Sequence, residues 1–107
     1  MTDNEKFFGR RLKEIRKENG LSQAELAERL SVDEKYISRL ETGSSTPSFS
    51  MLNKLSKALN TEVENLFKFK HYKKTEELIK IINSKIQNTS EKNIRLIYKI
   101  IEDITNS

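Results

Sequence analysis

A chain of 107 residues suits one small domain, or a compact domain with a short appendage, and leaves no room for two independent catalytic domains. With 35% hydrophobic and 34% charged residues, three Gly, one Pro and no Cys, it reads as all-helical, and disulfides, thiol catalysis and Cys-ligated zinc are excluded. The formal charge of +4 permits a nucleic-acid partner, but residues 1–67 carry 11 basic and 11 acidic side chains while residues 68–107 carry 9 and 5, so net charge alone does not make the first part a DNA binder.

The opening stretch "MTDNEKFFGRR" lacks the apolar core of a secretory signal, and no segment approaches the roughly 18 unbroken apolar residues of a membrane span. A cytoplasmic protein with no membrane partner is expected. Phe8, Leu12 and Ile15 recur at the i, i+4, i+7 spacing of one helical face, with Gly20 as its stop. In "SQAE", Ser22 and Glu25 have the spacing of a capping box that starts a second helix, whose inner face is Leu26, Ala27 and Leu30. Asp33 is a good N-cap for a third, with Ile37 and Leu40 inward and Gly43 as a left-handed end. Only "SVD" separates the second from the third, which favours two short helices at a steep angle, the helix-turn-helix arrangement.

"SSTPS" leads into a fourth helix, with Pro47 in its first turn and Leu52, Leu55 and Leu59 inward, and a short fifth helix carries Val63, Leu66 and Phe67. The Lys-rich stretch "KFKHYKK", holding Lys68, Lys70, Lys73 and Lys74, reads as a solvated linker rather than a second DNA site. Beyond it two more helices break at "QNTS", with Thr89 or Ser90 capping the last. The last helix has an apolar stripe too wide for one neighbour, so it is expected to pack on the first domain, on another subunit, or on both. The expected domains are 1–67 and a basic linker with a two-helix extension over 68–107.

The segment "LSQAELAERLSVDEKYISRLETGSSTPSFSMLNKLSKALNTEVENLF" resembles the helix-turn-helix domain of the Xre family, the phage-repressor and Cro type of regulator, over about residues 8 to 67. Its specific elements are "SQAELA", the "YISRLETG" helix end, the "TPS" turn and "LSKAL". The resemblance implies a five-helix lambda-repressor-like domain that binds double-stranded DNA as a homodimer on inverted repeats, with the third helix in the major groove. A domain of this type followed by a helical hairpin is also similar in organisation to SinR-type repressors, in which the hairpin assembles subunits and receives an antagonist. Two departures stand out. The family often has Gly at the turn where Ser31 stands, which costs up to about 1 kcal/mol if the backbone needs positive φ. It often sets Lys or Arg against phosphates after the third helix, where this chain has Ser44 and Ser45.

On a helical wheel with Ile37 at zero, Lys35 and Arg39 project at about 160°, Thr42 at about 140° and Ser38 at about 100°. Charged stripes of this kind are ordinarily solvated faces; the family match turns the reading towards DNA. Arg39 can bond guanine O6 and N7 in parallel, and Lys35 can reach guanine or a phosphate. Glu34 can accept from cytosine N4 or simply favour the helix dipole. Gln23 matches the family position that grips a phosphate and braces the reading helix, though a polar first-turn residue needs no such role. Tyr36 lies at the core edge, either touching sugar-phosphate or covering the contact between the second and third helices. Glu41 and Arg16 each lie about 40° from an inward residue of their helix, and the family pairs these positions in a partly buried salt bridge.

The residues expected to form a dimer or partner interface are Leu78, Ile82, Ile86, Ile94, Ile97, Ile101 and Ile104. No P-loop, dinucleotide fingerprint, supported catalytic triad or metal-ligand spacing is present, so neither an enzyme nor a cofactor is expected, and the lone His71 is not expected to hold a metal. The expected function is a sequence-specific transcriptional regulator, a dimeric repressor on an operator inverted repeat. The alternative is an antitoxin, or a regulator whose hairpin is captured by an antagonist protein.

Overall fold

The computed structural model describes residues 2–106, and every regular element among them is helical. Helix α1 spans Asp3–Glu18 and opens on a capping box, in which the Thr2 hydroxyl accepts from the Glu5 amide and the Glu5 carboxylate accepts from the Thr2 amide. Helix α2, Gln23–Leu30, repeats the device with Ser22 and Glu25. Glu25 sits below its ordinary pKa because the backbone and hydroxyl of Ser22 bond its charged form. Helix α3, Glu34–Thr42, is capped by Asp33 at one end and Gly43 at the other, and α4 spans Phe49–Ala58.

The placement of Pro47 differs from the expectation. Ser48 is the N-cap of α4, its hydroxyl accepting from the Met51 amide at 3.1 Å, so Pro47 precedes the cap rather than lying in the first turn. There its fixed φ stiffens the approach instead of the helix. The fifth helix, Val63–Phe67, is 3₁₀, the form adopted by pieces too short for several α-type bonds.

The core forms where these pieces meet. Leu12 of α1, Leu26 of α2, Ile37 and Leu40 of α3, Leu55 and Leu59 around the end of α4, and Leu66 of the 3₁₀ helix are fully buried. Each such side chain contributes about 1.5–3 kcal/mol through its burial. α3 lies against both α1 and α2, so its inner face is fixed from two directions. The approach to α1 is tightest at Gly9, where a Cβ would stand 2.3 Å from the Glu41 carbonyl oxygen and 2.6 Å from that of Leu40.

The chain divides into two compact units, the first ending at Tyr72 and the second beginning at Lys73. This seam falls beyond the 67/68 boundary read from composition. Residues 68–72 belong with the first unit because Phe69 and Tyr72 set their rings 5.9 Å and 6.3 Å from that of Phe7. A second 3₁₀ turn, Lys70–Tyr72, forms within this segment.

The second unit holds α5, Thr75–Gln87, and α6, Glu91–Thr105, with Ser90 capping α6 through the Asn93 amide. Neither helix contains a buried residue. Leu78, Ile86 and Ile97 are half-buried, whereas Ile82, Ile94, Ile101 and Ile104 are exposed. Among the described residues no helix is long and apolar enough to cross a membrane.

Candidate nucleic-acid interface

The turn that aims α3 is made in very few residues. Ser31 adopts the left-handed conformation at φ 55°, ψ 43°, its amide bonds the Glu28 carbonyl at 3.1 Å, and the Val32 amide bonds that of Ala27 at 3.0 Å. Asp33 then starts α3 at once by accepting from the Lys35 amide at 2.9 Å. A side chain at such a φ costs up to about 1 kcal/mol relative to Gly, so Ser31 holds the turn under modest strain.

Beneath α3 lies a buried polar cluster. Arg16, 6% exposed, donates from Nε to Glu41 Oε2 at 2.7 Å and from one terminal nitrogen to Oε1 at 3.1 Å; Glu41 is 7% exposed. The other terminal nitrogen of Arg16 donates to the Leu21 carbonyl at 2.7 Å, and Gln23 Nε2 donates to Glu41 Oε1 at 3.0 Å. The carboxylate on α3 is thus held from α1 by a two-pronged guanidinium and from the first turn of α2 by an amide. No buried side-chain nitrogen or oxygen among the described residues lacks a partner. A charge pair out of water is tolerable when its remaining donors and acceptors are filled, and removing one member costs about 3–5 kcal/mol.

The opposite face of α3 is open. Glu34, Lys35, Arg39 and Thr42 are exposed and Ser38 is half-buried, while Ile37, Leu40 and Glu41 face inward. The helix ends on a knot centred on Arg39: its carbonyl accepts from the amides of Ser44 at 3.0 Å and Ser45 at 3.2 Å, and from the hydroxyls of Thr42 and Ser44. The Thr42 and Ser44 hydroxyls also lie 3.1 Å apart. Gly43, at φ 84°, permits the reversal. The Arg39 side chain folds back as well, donating from Nε to the Ser45 hydroxyl at 3.3 Å, with its guanidinium carbon 5.8 Å from the Tyr36 ring centre. Tyr36 is half-buried against the core.

The structure therefore gathers Glu34, Lys35, Ser38, Arg39 and Thr42 on one surface, with Ser44 and Ser45 at its end. Gln23 turns its amide to Glu41 beneath that surface.

Other residues that hold this unit together have no periodic signature. Gly9 is one, since only its missing Cβ lets α1 reach the α3 backbone. Arg11 is another, clamping α1 to the 3₁₀ helix by donating to the Asn65 carbonyl at 2.9 Å and to its side-chain oxygen at 2.7 Å. The third is the strap at residues 69–72. Tyr72 donates its hydroxyl to Glu14 at 2.6 Å, His71 Nε2 lies 3.3 Å from the same carboxylate oxygen, and the Arg10 guanidinium sits 4.1 Å from the Tyr72 ring centre. Partial burial, then the bond to Glu14 and its charge, push the Tyr72 phenol up to about 12. The same bond, with His71 and Arg11, holds Glu14 below its usual value. The aromatic residues interleaved with lysine in "FKFKHY" are the one signal that could have revealed this strap.

A compact helical unit whose second and third helices meet in a tight turn, with an open polar face on the third, defines a helix-turn-helix module. Residues 12–66 match the helix-turn-helix family model, and the chain belongs to that family, in its Xre type. It is 42% identical over 66 residues to the HTH-type transcriptional regulator SinR of Bacillus subtilis (strain 168), a match covering 61% of this chain and 60% of that protein. The match thus spans less than two thirds of that relative's length. Among solved structures, the biofilm master regulator SinR in complex with DNA aligns with a TM-score of 0.53 at 40% identity, over 55% of this chain and 95% of that one. The complex of SinR with SinI aligns with a TM-score of 0.56 at 29% identity, over 94% of this chain and 99% of that one.

Proposed function

We propose that this protein is a sequence-specific DNA-binding transcriptional regulator, a dimeric repressor that occupies an operator inverted repeat by placing α3 in the major groove. The observation that carries the reading is the two-sided character of α3: an inner face locked by a buried ion pair, and an outer face bearing Lys35, Ser38, Arg39 and Thr42. A recognition helix needs both, because base contacts discriminate only when the helix cannot yield. The solved complex of SinR with DNA, 40% identical to this chain where they align, supports it.

In this reading Arg39 bonds guanine, Lys35 reaches guanine or phosphate, and Glu34 accepts from cytosine. Ser44 and Ser45 line the edge of the contact, Gln23 braces α3 from beneath through Glu41, and Arg16 and Glu41 are structural. Half-sites about 34 Å apart require a fixed subunit spacing, which the apolar residues of α5 and α6 supply by assembling two chains. The test is selection from a randomised duplex pool at near-physiological salt, with Arg39→Ala in parallel. Enrichment of an inverted repeat that the variant ceases to read at one symmetric position is expected. Binding that yields no motif and vanishes with modest salt would remove the proposal.

A second reading gives protein capture the main role, with the hairpin taken by an antagonist or a toxin. It is favoured by the apolar exposure of α6, where Leu96, Ile100 and Ile101 are 51%, 58% and 45% accessible, since soluble monomers rarely leave such a surface bare. The complex of SinR with SinI, aligned over 94% of this chain, points the same way. Light scattering of the full chain across a concentration series tests it: a strict monomer at all concentrations favours capture by another protein, and a dimer favours the operator reading.

A further inference from the structure

We infer that Ser45 and Tyr36 are positioning residues for Arg39, holding its guanidinium so that the two terminal nitrogens form the edge presented to guanine. This rests on the DNA-reading role proposed for α3. A guanidinium has five N–H donors, one on Nε and two on each terminal nitrogen, and can meet the guanine O6/N7 pair side-on through Nε or end-on through both terminal nitrogens. Here Nε is already directed at the Ser45 hydroxyl at 3.3 Å, which leaves the end-on approach. The Tyr36 ring lies within cation–π range, at 5.8 Å from the guanidinium carbon, and gives the group a second contact.

Ser45 is suited to this task because the backbone fixes it relative to Arg39. Its amide donates to the Arg39 carbonyl at 3.2 Å, so one residue grips both ends of the arginine. Ser44 differs, since its hydroxyl bonds the Arg39 carbonyl and lies 3.1 Å from that of Thr42. An arginine with four free side-chain torsions loses much rotamer freedom when it docks on a base; one already held loses less, and the gain appears as discrimination rather than general affinity. The rival role for Ser45 is a direct phosphate contact, which carries no sequence information.

The two roles separate in a double-mutant cycle on the full chain. Binding is measured to the selected operator, to the operator altered at the base pair that Arg39→Ala ceases to read, and to an unrelated duplex. Ser45→Ala is expected to lower discrimination at that base pair about threefold to tenfold, the worth of one hydrogen bond, so that the loss on the selected operator exceeds any loss on the unrelated duplex. Ser45→Thr and Tyr36→Phe should retain discrimination, Tyr36→Leu should lower it, and Ser45→Ala should do nothing further in an Arg39→Ala background. Equal loss on all three duplexes in both backgrounds would make Ser45 a phosphate contact and overturn the inference. So would unchanged discrimination in Ser45→Ala while Arg39→Ala still loses it. If Arg39→Ala weakens all three duplexes alike, the base-reading role itself fails and takes this inference with it.

Discussion

Replacing Gly9 by alanine is the sharpest test of how α3 is held, because the two forces involved have opposite signs. In a helix open to solvent the change stabilises by about 1 kcal/mol through propensity alone. At Gly9 the new methyl would stand 2.3 Å from the Glu41 carbonyl oxygen and 2.6 Å from two further backbone atoms, the Glu41 carbonyl carbon and the Leu40 oxygen, where ordinary contact begins at 3.4 Å. Backbone cannot swing aside as a side-chain tip can, so α1 and α3 must part, by about 1 Å, and overpacking of this kind costs about 1–3 kcal/mol. The same displacement stretches the Arg16–Glu41 bonds, now 2.7 and 3.1 Å, and weakens a pair whose outright loss costs about 3–5 kcal/mol. After the propensity gain, a net loss of about 2–4 kcal/mol is expected, which lowers Tm by about 10–25 °C in a domain this small. Thermal and urea unfolding followed by circular dichroism measure it. A Gly9→Ala variant as stable as the parent, or more stable, would show that the contact yields and that α1 does not fix the α3 backbone.

Glu41→Ala strands a buried guanidinium and should cost about 3–5 kcal/mol in urea unfolding, whereas Arg16→Met combined with Glu41→Leu should recover most of it; equal losses in the single and double variants would contradict this account. Ser31→Gly relieves a left-handed residue at φ 55° and should stabilise by up to about 1 kcal/mol in the same assay, with operator preference unchanged. The Tyr72 phenol titrates higher in the folded chain, at about 12, than at its ordinary value of 10.0. Its stabilising contribution is therefore complete below pH 10 and lost as pH rises through the folded value. Urea midpoints measured across that window should fall more steeply for the parent than for Tyr72→Phe.

What could be read from the sequence was whatever is decided within a few residues. Ser22 with Glu25, Asp33, and Gly43 mark the ends of α2 and α3 by local hydrogen bonding, so the tight turn between them follows from spacing alone. The inward phase of Arg16 and Glu41 is likewise a matter of helical repeat. Thr2 and Glu5 carry the same capping signature as Ser22 and Glu25, but lie ahead of the first apolar residue that draws attention to a helix. Pro47 illustrates the limit of boundaries: positions before a cap and just after it differ by one or two residues and tolerate proline equally. The contact at Gly9 and the partner of the Tyr72 strap are hidden for a different reason, although the aromatic residues of "FKFKHY" hint that the strap packs on something. Each depends on which surfaces meet across the fold, at separations of 32 and 58 residues, and no local pattern encodes that meeting. The hairpin shows the same limit, since periodicity marks its apolar stripe without naming what covers it.

The neutral charge of residues 1–67 is compatible with DNA recognition once the acidic groups are followed to their places. Of the 11 carboxylates in that span, Glu41 is buried under Arg16, Glu5 and Glu25 close capping boxes, Asp33 caps α3, and Glu14 is bonded by Tyr72 beside Arg11. These groups serve folding, and their fields are met by amides and guanidinium groups at hydrogen-bond range. Exposed charges matter to a phosphate backbone only within a Debye length, about 8 Å at physiological salt. What DNA would meet on α3 is therefore set by Lys35 and Arg39 with Glu34, rather than by the sum over the unit. A surface this sparsely basic has a small counterion-release term. On the proposed reading, affinity for an operator would have to come largely from fitted base contacts, and a rigidly held α3 and a pre-set Arg39 would then count for more than in a strongly cationic binder.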